Sequence, residues 1–147
     1  LNAPGQIVLS GNASGIEAAA AKAKDKGIKR AIPLPVAGAY HSRLMQSAQD
    51  KLAAVLAQTA IATPRCTVVS NFVASADEIR ETLTRQVTGS VRWVECMQTL
   101  IAAGHTRFIE LGPDGTLAGL MGKIDKSVQV TTIKDVASLE AAVAALQ

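Results

Sequence analysis

Residues 107–133 constrain the fold of this 147-residue chain more than any other stretch. Arg107-Phe108-Ile109-Glu110-Leu111 is patterned as a strand, and Gly112-Pro113-Asp114-Gly115 is a turn. Thr116 to Ile124 carries helical apolar spacing, and Val128 to Ile133 reads as a second strand. Ala137 to Leu146 follows as a helix. A helix between two strands rules out a hairpin and requires a crossover, so the two strands are expected to be parallel. The predicted class is α/β with a parallel sheet.

The rest of the chain repeats this alternation. Ile7 to Ser10 reads as a short strand ended by Gly11, and Asn12 and Ser14 are N-cap candidates for a helix from about Gly15 to Lys26. Gly27 suits the C′ position of that helix. Ile28 to Leu34 reads as a strand closed by Pro33 and Pro35. Leu44, Met45, Ala48, Leu52, Val55 and Leu56 recur at helical spacing, and Ala62-Thr63-Pro64 breaks that helix. Thr67 to Ser70 is a β-branched strand, and Ala76 to Val87 an amphipathic helix. A further helix is expected from Val91 to Ala103, with Ser90 as its N-cap and Gly104 as its stop. There are no internal repeats.

Composition narrows the function classes. Hydrophobic residues make up 48% and charged residues 18%, which suits a core-forming chain and not a disordered one. No apolar run reaches the roughly 20 residues that span a bilayer, so no membrane is expected. Leu1-Asn2-Ala3-Pro4-Gly5 lacks the basic start and apolar stretch of a signal peptide, and the chain has no initiator Met. Fifteen basic against twelve acidic residues leave a net charge of +3, too weak and too poor in interleaved aromatics to argue for nucleic acid. Cys66 and Cys96 have no Cys-x-x-Cys spacing and no companion His, so no metal site is expected. They read as reduced, buried thiols of a cytoplasmic protein.

His41 is the residue most suited to chemistry. It follows the Pro-bounded run Pro33-Leu34-Pro35-Val36 and the Gly38 turn, and it precedes a helix. A loop-to-helix junction can display an imidazole as a base, although spacing alone leaves a structural role open. A base needs a nucleophile, and no Gly-x-Ser-x-Gly elbow occurs in the chain. The Gly112–Thr116 turn could hold an anion on its amides, or serve only as a tight strand-helix turn; it lacks the Lys-Ser/Thr of a P-loop. By spacing alone, Lys29 and Arg30 read as a solvated basic pair and Gln86 as a surface amide.

Four ordered blocks resemble one family. Asn2-Ala3-Pro4-Gly5-Gln6-Ile7-Val8-Leu9-Ser10-Gly11 is similar to its "N-x-P-G-Q-x-V-x-S-G" strand. Pro33-Leu34-Pro35-Val36 with His41-Ser42-Arg43-Leu44-Met45 resembles "L-P-V…x-H-S-x-x-M". Arg85-Gln86-Val87 with Ser90-Val91-Arg92-Trp93 resembles "x-Q-x-x-x-P-V-x-W". Phe108-Ile109-Glu110-Leu111-Gly112-Pro113 with Leu117, Gly119 and Leu120 resembles "E-x-G-P-G-x-x-L-x-G-L". The family is the malonyl-CoA:acyl carrier protein transacylases of fatty-acid synthesis and polyketide synthase modules. Two departures stand out: Asp114-Gly115 replaces a Gly plus basic residue, and Gly89-Ser90 stands where a Pro often precedes the Val.

The resemblance implies an α/β-hydrolase-like subdomain with a smaller ferredoxin-like subdomain inserted. Residues 1–36 would be the second half of the insert, and residues 37–147 the C-terminal part of the large subdomain. It implies His41 as the base of a Ser nucleophile that lies in a missing N-terminal half, with Gln86 orienting the imidazole through its backbone carbonyl. Asn2 and Gln6 would lie near the acyl channel, and Lys29 and Arg30 would suit coenzyme A phosphates or an acidic carrier protein. The implied partners are malonyl-CoA, acyl carrier protein and the missing half. No cofactor is implied, because malonyl-CoA is a substrate. The competing expectation is a non-catalytic fragment that binds carrier protein or coenzyme A.

Overall fold

The structure is a computed structural model, and it describes residues 1–70 and 79–146. The chain forms two compact units, Leu1–Ile7 with Arg92–Gln147, and Val8–Val91.

The first unit is built on the strand-helix-strand run. β1 (Arg107–Leu111) and β2 (Gln129–Ile133) pair in parallel, in register from Arg107 opposite Gln129 to Leu111 opposite Ile133. α5 (Thr116–Ile124) connects them, so both strands and their crossover fall where the sequence predicts. α4 (Trp93–Ala102) precedes β1 and packs on α5, while α6 (Val136–Leu146) and α5 both pack on β2. Ala3, Cys96, Met97, Met121 and Ala142 are buried. Small and flexible side chains thus fill a core that has almost no aromatic residues to use.

Local chemistry sets the helix ends. Gly104 lies at φ +91°, its N–H reaches the carbonyl of Ile101 (2.9 Å), and the N–H of His105 reaches that of Leu100 (3.2 Å). That is a Schellman stop, which needs a residue free to adopt the left-handed conformation. Asp135 and Ser138 cap α6 reciprocally: the Asp135 carboxylate accepts from the Ser138 N–H (2.8 Å), and the Ser138 hydroxyl from the Asp135 N–H (3.0 Å). α4 begins with Arg92 at its N-cap position, so Ser90 lies outside the helix it was expected to cap.

The second unit holds α1 (Ala13–Ala23), α2 (Gln46–Gln58) and α3 (Ile79–Arg85). Asn12 is the N-cap of α1, its side chain accepting from the Gly15 N–H at 2.8 Å. Gly27 at φ +74° closes the 3₁₀ turn that extends α1. α2 packs on α3. The expected start of α3 at Ala76 lies outside the described residues.

Three expected strands do not form among the described residues. Residues 7–10 and 28–34 are irregular, and Thr67–Ser70 has only a bridge at Val69. A strand needs a neighbour to complete its hydrogen bonds, and residues 7–10 and 28–34 have no strand beside them among the described residues. Their apolar side chains stay in solvent; Ile7, Leu9 and Ile32 are 65%, 66% and 62% exposed. The cysteines also divide. Cys96 is buried in α4, and burial pushes its thiol pKa up, but Cys66 is exposed, contrary to the expectation that both are buried. Cys66 sits in the irregular segment after Pro64, with no helix or sheet face to cover it.

Candidate active site

Among the described residues, His41 is the one non-glycine residue with positive φ, at +60°. The left-handed region brings the Cβ of an L-residue against its own carbonyl, at roughly 1–2 kcal/mol. His tolerates this region better than most residues. The local fold holds it there. Ser42 is extended and starts the 3₁₀ turn Arg43–Met45, accepting from the Leu44 N–H at 3.2 Å. The Ser42 hydroxyl donates to the Ala39 carbonyl at 2.7 Å. That hydroxyl is engaged in the turn on both sides.

The imidazole points to the end of α3. His41 Nδ1 lies 3.0 Å from the carbonyl oxygen of Gln86 and 3.2 Å from that of Gly89. Both partners can only accept, so Nδ1 carries the proton in a three-centre bond. In the neutral ring Nε2 is then a bare acceptor, and among the described residues it makes no hydrogen bond. The arrangement is therefore a base with its lone pair free and its tautomer fixed from behind. When Nε2 takes a proton, the Nδ1–H bonds become charge-assisted and stronger.

The two carbonyls have a structural origin. The N–H groups of Gln86 and Gly89 still bond back to the carbonyls of Thr82 (3.0 Å) and Arg85 (2.9 Å). Their own carbonyls lie past the last turn of α3, where carbonyls have no partner within the helix. A helix end of this polarity favours a nearby cation. The same turn is tied to α2, because the Thr88 hydroxyl donates to Gln49 Oε1 at 2.6 Å.

The other candidates divide by unit. Lys29 and Arg30 are exposed in the unit that holds His41, and neither has an ion-pair partner among the described residues. Asn2 and Gln6 belong to the other unit. Ala3-Pro4-Gly5-Gln6 is a tight turn with Gly5 at φ +73°, closed by the Gln6 N–H on the Ala3 carbonyl at 2.9 Å. The Gln6 side chain accepts from Lys123 Nζ at 2.9 Å.

Glu110 belongs to the fourth resembling block, but the sequence assigns it no role. It is a buried carboxylate in β1 that accepts from the N–H groups of Leu117 (2.9 Å) and Ala118 (3.0 Å) and from the Thr132 hydroxyl (3.1 Å). The amides at the start of α5 already hold an anion, and it is part of the chain. Gly112–Gly115 links β1 to α5, and the amides of Leu117 and Ala118 just beyond that turn are taken by Glu110. Burial works to raise the Glu110 pKa, but the three hydrogen bonds to its ionised form outweigh that and hold it below the usual carboxylate range. An acid in the middle of an apolar strand was the signal.

No protein-family model matches the chain. A malonyl CoA-acyl carrier protein transacylase of Bacillus subtilis is 42% identical over all of this chain and 48% of its own length. This chain is a homologue of the malonyl CoA-acyl carrier protein transacylases. The transacylase of Escherichia coli is 35% identical over 96% of this chain and 47% of its own length. The crystal structure of the transacylase from Streptococcus pneumoniae superposes with a TM-score of 0.92 at 37% identity, over 98% of this chain and 48% of that one. A malonyl-transacylase solved with its type II PKS acyl-carrier protein gives 0.86 at 36% identity, over 92% of this chain and 45% of that one. The chain spans about half the length of the relatives it matches.

Proposed function

We propose that this chain supplies the base of a malonyl-CoA:acyl carrier protein transacylase whose Ser nucleophile lies in the part of the relatives it does not span. The single observation that carries the reading is the His41 ring, with Nδ1–H held by two carbonyls and Nε2 free. In the first half-reaction Nε2 takes the Ser hydroxyl proton as the Ser oxygen attacks the malonyl thioester carbonyl. The carbon–sulfur bond breaks, and the imidazolium returns the proton to the coenzyme A thiolate. In the second half-reaction Nε2 takes the proton of the carrier protein's phosphopantetheine thiol. The thiolate attacks the acyl-Ser ester, the carbon–oxygen bond breaks, and the Ser oxygen regains its proton. Atoms and charges balance without a cofactor.

Gln86 acts through its main-chain oxygen, with the Gly89 carbonyl beside it. Lys29 and Arg30 are read as cations for coenzyme A phosphates or an acidic carrier protein, and Asn2 and Gln6 as residues near the acyl channel. The division at residue 36/37 into an inserted ferredoxin-like part and an α/β-hydrolase-like part, and a cytoplasmic setting, belong to the same reading. Among the described residues no helix is long and apolar enough to cross a membrane.

The test is reconstitution. The 147-residue chain, incubated with malonyl-CoA and carrier protein, should give no acyl-carrier protein. Adding a polypeptide that carries the Gly-x-Ser-x-Gly half should restore transfer. Turnover by the chain alone sinks the reading. Tight binding of carrier protein with no transfer in the mixed sample favours a non-catalytic fragment instead.

A further inference from the structure

We infer that Gln49 and Thr88 are positioning residues for His41, joined by a hydrogen bond that fixes the two carbonyls on which its tautomer depends; this rests on the reading of His41 as the base. His41 and its acceptors come from chain segments about 45 residues apart. Something other than sequence proximity must hold them in register. α2 begins just after His41, and Gln49 is in its first turn. Thr88 lies between the two acceptors, Gln86 and Gly89, in one turn of chain. The 2.6 Å Thr88–Gln49 bond is partly buried, and it closes a ring that runs from His41 through the start of α2 to the carbonyls and back to the imidazole. A bond at that place limits rotation of the peptide units whose oxygens face Nδ1.

The far end of the same helix pair is fastened separately. Arg80, near the start of α3, donates from Nη2 to the carbonyl of Thr59, the C-cap of α2, at 3.0 Å. The two helices therefore run antiparallel with a hydrogen-bonded tie toward each end. Removing the tie near His41 leaves the other to hold the pair, so loss of positioning separates from loss of fold.

The chain holds two histidines, His41 and His105, which makes a ring-nitrogen measurement direct. In the 147-residue chain labelled with ¹⁵N-histidine, long-range proton–nitrogen spectra of the neutral ring should show His41 protonated at Nδ1 and bare at Nε2. Thr88→Val removes the hydroxyl and keeps the shape; it should give a mixture of tautomers. Thr88→Ser should restore the single form. Gln49→Met, which removes the acceptor from the other side, should reproduce the mixture if Thr88→Val fails to fold. Arg80→Ala should lower stability and leave the tautomer alone.

In the enzyme assembled with its nucleophile-bearing part, Thr88→Val should lower kcat about fivefold, the size of one neutral hydrogen bond, with KM for malonyl-CoA kept. A wild-type His41 that is not an Nδ1–H tautomer overturns the inference. So does an unchanged tautomer in both Thr88→Val and Gln49→Met. If the tautomer shifts while a His41 variant keeps full turnover, the positioning stands and the reading of His41 as base fails.

Discussion

His41 combines a strained backbone with a ring held from behind, and the two features make different demands on a substitution. His41→Ala removes the base and also leaves a residue that resists φ +60°. His41→Asn removes the base but suits the left-handed region, which Asn enters readily. Both variants should lose transfer by roughly 10²–10⁴-fold in the reconstituted enzyme, the usual cost of a general base. Only Ala should also lower the thermal midpoint. Rates and melting curves for the pair check this, and near-normal turnover by His41→Asn would give His41 a structural role. The neighbouring Ser42 is no substitute nucleophile, because its hydroxyl proton goes to the Ala39 carbonyl.

At the scale of elements, the β1-α5-β2 run depends on Glu110. Its pKa is depressed in the folded state, so the sign of the pH effect is fixed. The stabilisation is complete above the pKa of an unfolded Glu and is lost as pH falls through the lower folded value. Glu110→Gln should therefore melt below the wild type at neutral pH, and the gap should close in acid. Melting curves across that range check it, and a gap independent of pH would mean that the carboxylate's charge is not what caps α5. Gly104→Ala tests a helix stop in the same unit. Among the described residues nothing beyond its immediate chain neighbours lies within 4 Å of the Cβ it would add, so the cost is conformational. A loss of about 1–2 kcal/mol in chemical denaturation is expected.

For the molecule as a whole, charge governs encounter more than chemistry. Lys29 and Arg30 are exposed cations in the unit that carries His41. The double change Lys29→Ala, Arg30→Ala in the reconstituted enzyme should raise KM for carrier protein, flatten its salt dependence and nearly keep kcat. Measuring kcat/KM at low and high salt decides this, and an unchanged salt slope would make the pair a solvated surface feature.

Much of this molecule could be read one residue at a time. The span of α5, the Gly104 stop and the Asn12 cap depend on neighbours within a few residues, so the sequence alone determined them. The short helical connection between β1 and β2 made their parallel pairing legible, although the paired residues lie 22 apart. Sequence also singled out His41, because the turn and helix flanking it are local. Tertiary structure decided whatever needs a partner far along the chain. It set which carbonyls receive the Nδ1–H and hence which nitrogen is free. It tied Thr88 to Gln49 and filled the α5 amides with Glu110. It also decided where strands form: residues 7–10 and 28–34 have the right side chains, but a strand is completed by the backbone beside it. Local pattern specifies a preference, whereas a hydrogen bond between distant segments exists only once the chain has brought them together.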